Sequence, residues 1–312
     1  MTLTVLFAAG HASWPRWEGP LRRAMAEAGL NDVSLVLDAA PETVDAIIYA
    51  PGGDTPADFT PYTRCGAVLS LWAGVERIVG NATLTQPLCR MVDPGLTQGM
   101  VEYVVGHAMR FHLGIDTVLA AQSGTWAPVI PPLASERPVA MLGLGALGAA
   151  CGQALACLGF PVMGWSRTRK SVPMIECHHG VEGLNTVLQT AQIVVTLLPS
   201  TPDTANTLNA KTLSWLPRGA CIINPGRGTL IDDDALLAAL ESGHVAQATL
   251  DVFRTEPLPT DHRYWSHPRV AVTPHIAADT RPATAARVVA ENLRRLRDRE
   301  PLLYQVNREA GY

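Results

Sequence analysis

The chain has 312 residues, enough for two domains of ordinary size, each with its own core. Hydrophobic residues at 47% against 17% charged describe a globular composition and exclude an extended disordered chain. A formal net charge of −4 without blocks of like charge speaks against nucleic acid or an acidic membrane as partner, and no apolar run approaches the ~18 residues of a membrane span.

The first residues, Met-Thr-Leu-Thr-Val-Leu-Phe-Ala-Ala, lack a basic n-region and read as a buried strand rather than a signal peptide. Short apolar runs then alternate with helical stretches, the pattern of parallel βαβ units. Strands are predicted at Leu3–Phe7, Val33–Leu37, Ala46–Tyr49 and Ala67–Leu71, forming a first small α/β unit. A long helix is predicted from about Gln98 to Ala121, with Thr97 as its N-cap. The stretch from Trp126 to Pro138 holds four prolines and reads as a connector.

A second α/β unit is predicted from Val139–Leu142 through Val162–Trp165, Ile193–Leu198, Ala220–Ile223, Ala248–Leu250 and Val270–Val272. The triplet Asp232-Asp233-Asp234 precedes an Ala/Leu-rich helix closed by Gly243, so it reads as acids at a helix start rather than a metal site. A last helix, Pro282 to Asp298, is expected to cross back and pack on the first domain. Cys65, Cys89, Cys151, Cys157, Cys177 and Cys221 show no Cys-x-x-Cys spacing and read as reduced, mostly buried thiols of a cytoplasmic protein. No clustered Cys and His ligands suggest a metal, and the His178-His179 pair reads as an exposed loop.

Gly143-Leu-Gly145-Ala146-Leu147-Gly148 follows a predicted strand and opens a predicted helix, Ala149 to Leu158. In that context the first glycine permits a tight turn, the second admits a pyrophosphate and the third lets helix and strand pack closely. Amides of Ala146 and Leu147 would meet the phosphates. Where NAD-binding versions place an acid on the adenosine ribose, ~20 residues past the loop, this chain has Ser166-Arg167-Thr168-Arg169-Lys170. A carboxylate would repel a 2′-phosphate and guanidinium or ammonium groups would bind it, so NADPH is expected over NADH.

Three further residues carry chemistry. Arg227 stands between Gly226 and Gly228 beyond a strand, where a guanidinium can fork onto a substrate carboxylate and its 2-oxo oxygen, with the glycines letting a ligand come close. His275 follows another strand and can give a proton to the oxygen that gains charge during hydride reduction. Glu256 is its natural partner, orienting the ring and favouring imidazolium. A hydrolase triad is rejected, since no Gly-x-Ser-x-Gly elbow supplies a nucleophile.

These residues, together with Leu71-Trp-Ala-Gly-Val-Glu76, Thr97 to Tyr103, Trp165-Ser-Arg-Thr-Arg-Lys170 and the closing Arg-Glu-Ala-Gly-Tyr, resemble the D-isomer-specific 2-hydroxyacid dehydrogenase family, and within it the bacterial glyoxylate/hydroxypyruvate reductase A type. The resemblance spans nearly the whole chain. It implies Arg227, Glu256 and His275 as the catalytic set, and backbone amides of Ala73, Gly74 and Val75 as holders of the substrate carboxylate. It implies Asp251 near the nicotinamide, with Pro199, Pro225 and residues after His275, Ala277 among them, lining the cofactor cleft. Thr97 matches the family's threonine at the start of the long interdomain helix, and a homodimer built around that helix is implied as well. The expected fold is α/β with two doubly wound parallel-sheet domains: a flavodoxin-like substrate domain over 1–96 plus 283–312, and a Rossmann NADP-binding domain over 97–282.

Departures from the family pattern bear on the substrate. Pro225-Gly226 precedes the arginine where relatives often carry Ala or Ser, and Met100-Val101 replaces a smaller residue. Tyr49 sits where the reductase A type can present a tryptophan toward the substrate, and Trp72 and Trp265 favour a small acid if they face the pocket, though both could equally be core. The sequence therefore predicts NADPH-dependent reduction of glyoxylate and hydroxypyruvate. The rivals are a dehydrogenase for a larger acid and a catalytically silent nucleotide-sensing protein of the same fold.

Overall fold

The computed structural model describes residues 2–52 and 55–311. It divides into two compact units, Met1–Leu96 with Thr280–Tyr312, and Thr97–Asp279. Each is built on one parallel sheet, as the alternation of short apolar runs and helices predicts.

The first unit holds β1 (Leu3–Ala8), α1 (Trp14–Glu27), β2 (Val33–Val36), β3 (Ala46–Tyr49), β4 (Ala67–Ser70) and β5 (Leu88–Cys89). Its sheet order is β2-β1-β3-β4-β5, all parallel. The strands bury both faces by simple alternation. Val5 and Phe7 of β1 meet Trp17, Leu21, Ala24 and Met25, the apolar stripe of α1. Leu6 and Ala8 point the other way, into a cluster with Phe59, Ile78 and Leu84. Tyr49 belongs to that cluster, edge-on to Phe59 at 5.8 Å, so its ring is part of the core.

The second unit begins within α2 (Pro94–His112), followed by α3 (Ile115–Ala120), β6 (Val139–Leu142), α4 (Ala146–Cys157), β7 (Val162–Ser166), β8 (Glu176–His179), α5 (Gly180–Thr190) and β9 (Ile193–Thr196). After these come α6 (Ala210–Leu213), β10 (Ala220–Asn224), α7 (Asp233–Glu241), β11 (Val245–Leu250) and β12 (Val270–Val272). The sheet runs β12-β11-β10-β9-β6-β7-β8, again all parallel, and helices cover both faces. Ala140 and Leu142 of β6 pack with residues of α5, α6 and α7, while Val139 and Met141 pack with residues of α2 and α4. The acidic triplet caps α7 as expected: the Asp232 carboxylate accepts from the Ala235 amide at 3.1 Å. The chain ends with α8 (Pro282–Asp298), whose Ala285, Ala286, Val289, Ala290 and Leu293 bury against the α1 side of the first sheet.

Several local expectations need correction. Thr97 does not cap the long helix. It lies one turn inside α2, whose start is set by Asp93, with Oδ1 accepting from the amides of Gly95 and Leu96 at 2.8 and 3.3 Å and Pro94 at the first helical position. The helix also does not run unbroken to Ala121, because Gly114 takes a left-handed conformation (φ 64°) that closes α2 and starts α3. His178 and His179 are not loop but the end of β8, an edge strand too polar for an apolar-run reading, and His178 Nε2 meets Glu176 Oε1 at 3.0 Å. The helix after the glycine loop starts at Ala146, one turn earlier than predicted. The six cysteines are free thiols, with Cys157 exposed and Cys177 part-exposed.

Candidate active site

Nearly every candidate of the second unit sits just beyond the carboxyl end of a strand, where open α/β sheets bind ligands. Gly143 follows β6, Ser166–Lys170 closes β7 and its loop, Pro199 follows β9, Pro225 and Arg227 follow β10, Asp251 and Glu256 follow β11, and His275 and Ala277 follow β12. The sheet order thus lines up three neighbouring strands, β10, β11 and β12, behind Arg227, Glu256 and His275.

Glu256 and His275 meet. Glu256 Oε2 lies 2.7 Å from His275 Nδ1, while Glu256 Oε1 accepts from the Phe253 amide at 2.9 Å. The carboxylate is fixed at one oxygen and orients the imidazole with the other, so Nε2 is the ring nitrogen turned away from the pair. Both side chains stay part-exposed, 31% for Glu256 and 53% for His275, as a proton-transferring pair requires. His275 itself has φ 55°, a left-handed conformation rare outside glycine.

That conformation is held from beneath by Asp251, which is wholly buried. Its backbone oxygen accepts from the His275 amide at 2.9 Å. Its carboxylate accepts from the amides of Ile276 and Ala277, both at 2.9 Å, and from the Thr273 hydroxyl at 2.6 Å. Asp251, which the family resemblance puts near the nicotinamide, anchors the turn carrying His275.

Arg227 is half-buried, and its Nη1 donates to the Gly226 oxygen at 2.7 Å. The flanking glycines serve the protein's own backbone rather than a ligand's approach. A Cβ on Gly226 would lie 2.7 Å from the Thr196 oxygen, and one on Gly228 2.0 Å from the Phe253 carbonyl carbon. Asn224, to which sequence reasoning gave no role, braces this turn. Buried at the end of β10, it accepts from the Thr196 hydroxyl (2.6 Å) and the Gly226 amide (3.1 Å) and donates to the Arg227 oxygen (3.0 Å). A polar residue closing an apolar strand before Pro-Gly was its one signal.

The glycine loop fits a dinucleotide. Gly143 has φ 108°, and a Cβ there would lie 2.5 Å from the Leu197 oxygen. On Gly148 a Cβ would stand 1.8 Å from the Gly143 oxygen, so helix and loop touch. A Cβ on Gly145 would meet no protein atom, and no side chain caps α4. The open space over Gly145 and the uncapped amides of Ala146 and Leu147 suit a diphosphate. At the end of β7, the Ser166 hydroxyl donates to the Thr168 oxygen at 2.7 Å and folds the loop, while Arg167 through Lys170 are exposed. Arg167 pairs with Asp203 at 3.5 Å. Pro199 is part-buried, its carbonyl accepting from Thr204 at 2.6 Å, and Pro225 and Ala277 are buried. Thr97 lies part-buried on α2.

In the first unit Ala73, Gly74 and Val75 follow β4 in an irregular turn, with Val75 buried and the other two part-exposed. The turn is pinned where the Trp72 oxygen accepts from the Met91 amide (3.0 Å) and the Trp72 amide donates to Ser70 (3.1 Å). Trp72 and Trp265 are both substantially exposed, so neither is core. Among the described residues no cluster of His, Cys, Asp or Glu could hold a metal, and no helix is long and apolar enough to cross a membrane.

A two-domain parallel α/β fold with an Arg, Glu and His at adjacent strand ends and a dinucleotide loop in the same sheet defines a nicotinamide-dependent oxidoreductase of 2-hydroxy acids. Residues 103–277 match the family described as D-isomer specific 2-hydroxyacid dehydrogenase, NAD binding domain. A glyoxylate/hydroxypyruvate reductase A of Salmonella newport is 36% identical over 310 residues, 97% of each chain. Among solved structures, a D-isomer specific 2-hydroxyacid dehydrogenase of Xanthobacter autotrophicus in complex with NADPH and MES superposes with TM-score 0.92 at 39% identity, covering all of both chains. An NADPH-dependent glyoxylate/hydroxypyruvate reductase of Sinorhizobium meliloti, in complex with NADP and sulfate, superposes with TM-score 0.86 at 29% identity, over 99% of this chain and all of that one. The chain belongs to the D-isomer-specific 2-hydroxyacid dehydrogenase family.

Proposed function

We propose that this protein reduces small 2-oxo acids, glyoxylate and hydroxypyruvate first among them, to glycolate and D-glycerate, using NADPH. The observation that carries the reading is the Glu256–His275 pair at 2.7 Å, beyond the ends of β11 and β12, the two strands that follow the Arg227-bearing β10 in the sheet. Similarity to reductases named for these two substrates supports the choice of acid.

In the proposed mechanism the Arg227 guanidinium takes the substrate carboxylate and polarises the 2-oxo oxygen. Backbone amides of Ala73, Gly74 and Val75 are assigned to the same carboxylate. His275, protonated and oriented through Nδ1 by Glu256, gives its Nε2 proton to the oxygen as charge develops there. Glu256 offsets the imidazolium charge before the transfer, and its hold on the Phe253 amide keeps it in place during the transfer. Bound NADPH supplies the hydride that reduces C2. Its diphosphate is assigned to the amides of Ala146 and Leu147 over Gly143, Gly145 and Gly148, and its 2′-phosphate to the Ser166–Lys170 loop, with Arg167, Thr168 and Lys170 as donors. Thr97, Pro199, Pro225, Asp251 and Ala277 are assigned to the rest of the cofactor cleft.

The partner beyond substrate and cofactor is taken to be a second copy of the chain, with no nucleic-acid or membrane partner, and the location cytoplasmic. A run of exposed apolar side chains, Val118, Leu119, Trp126, Val129, Ile130 and Leu133, supports a protein partner for this segment.

The test follows nicotinamide absorbance with purified protein, pairing NADPH or NADH with glyoxylate, hydroxypyruvate and pyruvate. Faster oxidation of NADPH with the two small acids is the expected result. A preference for NADH reduces the Arg167–Lys170 segment to a surface loop, and no turnover with any pair removes the reading.

A further inference from the structure

Beneath the His275 turn a chain of hydroxyl groups leads into α2. The Tyr103 phenol oxygen lies 2.7 Å from Thr273 Oγ1, and Thr273 Oγ1 lies 2.6 Å from Asp251 Oδ1. The direction of these bonds follows from counting protons. A carboxylate only accepts, so the single Thr273 hydroxyl proton goes to Asp251, and Tyr103 must then be the donor to Thr273. Asp251 Oδ1 also accepts from the Ile276 amide and Oδ2 from the Ala277 amide, both at 2.9 Å. The ordered path Tyr103 → Thr273 → Asp251 therefore ends on the two residues that follow His275.

We propose that Tyr103 and Thr273 are positioning residues for His275, holding through Asp251 the left-handed turn that aims the imidazole at Glu256. The inference rests on the reading of His275 as proton donor. Four observations bear on it. His275 has φ 55°, a conformation that a non-glycine residue keeps only where surrounding bonds over-determine it. Those bonds all converge on Asp251 and Thr273: the His275 amide meets the backbone oxygens of both, at 2.9 and 3.0 Å. The Tyr103 ring is itself fixed against the His107 ring, with centroids 4.4 Å apart. Burial also raises the Tyr103 phenol above its ordinary range, so it keeps the proton that makes it a donor at any working pH.

A buried carboxylate with these partners is a rigid unit, and deleting one hydroxyl loosens it without removing a group that would touch substrate. Thr273→Val removes the link and leaves the shape. Thr273→Ser keeps the hydroxyl. Tyr103→Phe removes only the terminal donor.

The experiment measures kcat and KM for glyoxylate with NADPH, together with the thermal midpoint, in wild type and these three variants, with His275→Asn as reference. For Thr273→Val the expected result is a kcat lower by about tenfold, the size a charge-assisted hydrogen bond carries, with KM nearly unchanged. Thr273→Ser restores most of the rate, and Tyr103→Phe loses about threefold in kcat, again with KM nearly unchanged. Should Thr273→Val fail to fold, Tyr103→Phe decides by the same split between kcat and KM. Wild-type rates in folded Tyr103→Phe and Thr273→Val overturn the inference. So does an equal loss in the Val and Ser variants, which would mean packing alone. Full activity in His275→Asn, or an inactive wild type, strikes the proton-donor reading itself and is distinguishable from either.

Discussion

Gly228 and Phe253 touch backbone to backbone. A Cβ placed on Gly228 would stand 2.0 Å from the Phe253 carbonyl carbon and 2.4 Å from the Arg254 amide nitrogen. The turn after β10 that carries Arg227 and the loop after β11 that carries Glu256 are therefore one packed object, with Phe253 also giving its amide to Glu256. Two side chains of opposite charge, Arg227 assigned to the substrate and Glu256 to its proton donor, owe their spacing to a missing methyl.

Gly228→Ala is expected to force the two loops apart. Overpacking of this kind costs roughly 1–3 kcal/mol in stability, and the displacement of Arg227 against Glu256 should lower kcat/KM by about a hundredfold or more. Urea unfolding read beside steady-state kinetics checks both. A variant that is less stable yet fully active would show that the loops move together and that their spacing is not what matters.

Removing the proton donor and removing its partner should differ in degree. His275→Asn is expected to lower kcat by about 10²–10⁴-fold, the range of general acid catalysis. Glu256→Gln should cost about tenfold, because its single amide oxygen can accept from the ring or from the Phe253 amide but not from both, and it no longer offsets imidazolium charge. Steady-state kinetics of the two variants beside the wild type checks both, and wild-type turnover in His275→Asn would exclude His275 as the acid.

Cofactor choice is tested at the end of β7. Arg167, Thr168, Arg169 and Lys170 are exposed there, and Ser166 shapes the loop from within. Charge reversal at one of them, Arg167→Asp, would both repel a 2′-phosphate and break the Asp203 pair. The expected result is an NADPH KM raised at least about tenfold and an NADH KM little changed. Equal weakening for the two cofactors would place the effect in the loop's folding rather than in phosphate recognition.

The parts of this fold that could be read from the sequence are those where local pattern and tertiary burial agree. Strands such as Ala46–Tyr49 and Ile193–Thr196 are buried at every position because both faces of a parallel sheet are covered, and their apolar runs stand out from their surroundings. Glu176–His179 is as regular a strand, but it lies at a sheet edge with polar residues, so no apolar run marks it. The true start of α2, Asp93-Pro94, competes in the sequence with Thr97, since either residue type can cap and sequence alone does not say which carboxylate or hydroxyl folds onto the amides. At the site, Arg227, Glu256 and His275 were legible because each closes an apolar run. The supports beneath them were not. Tyr103 and Thr273 are 170 residues apart, and Asn224 reaches back 28 residues to Thr196. Pairings across such separations leave no periodic trace.

Acid sensitivity should trace in part to His107. The ring is packed on Tyr103, with Nδ1 3.4 Å from the Thr249 hydroxyl, and it is held below its ordinary value of 6.5 first by burial and then by the Arg110 charge, against weaker opposing pulls from Asp251 and Asp116. A folded state that binds this proton less readily than the unfolded chain is stable above the unfolded value and loses stability as pH falls below it. The loss should begin as the medium drops through about 6.5 and continue until His107 is protonated in the folded protein as well. His107→Gln keeps a polar group of similar reach and cannot charge. Its urea midpoint should fall less than that of the wild type between neutral pH and about pH 5. Parallel curves for the two proteins across that interval would assign the acid sensitivity to other groups.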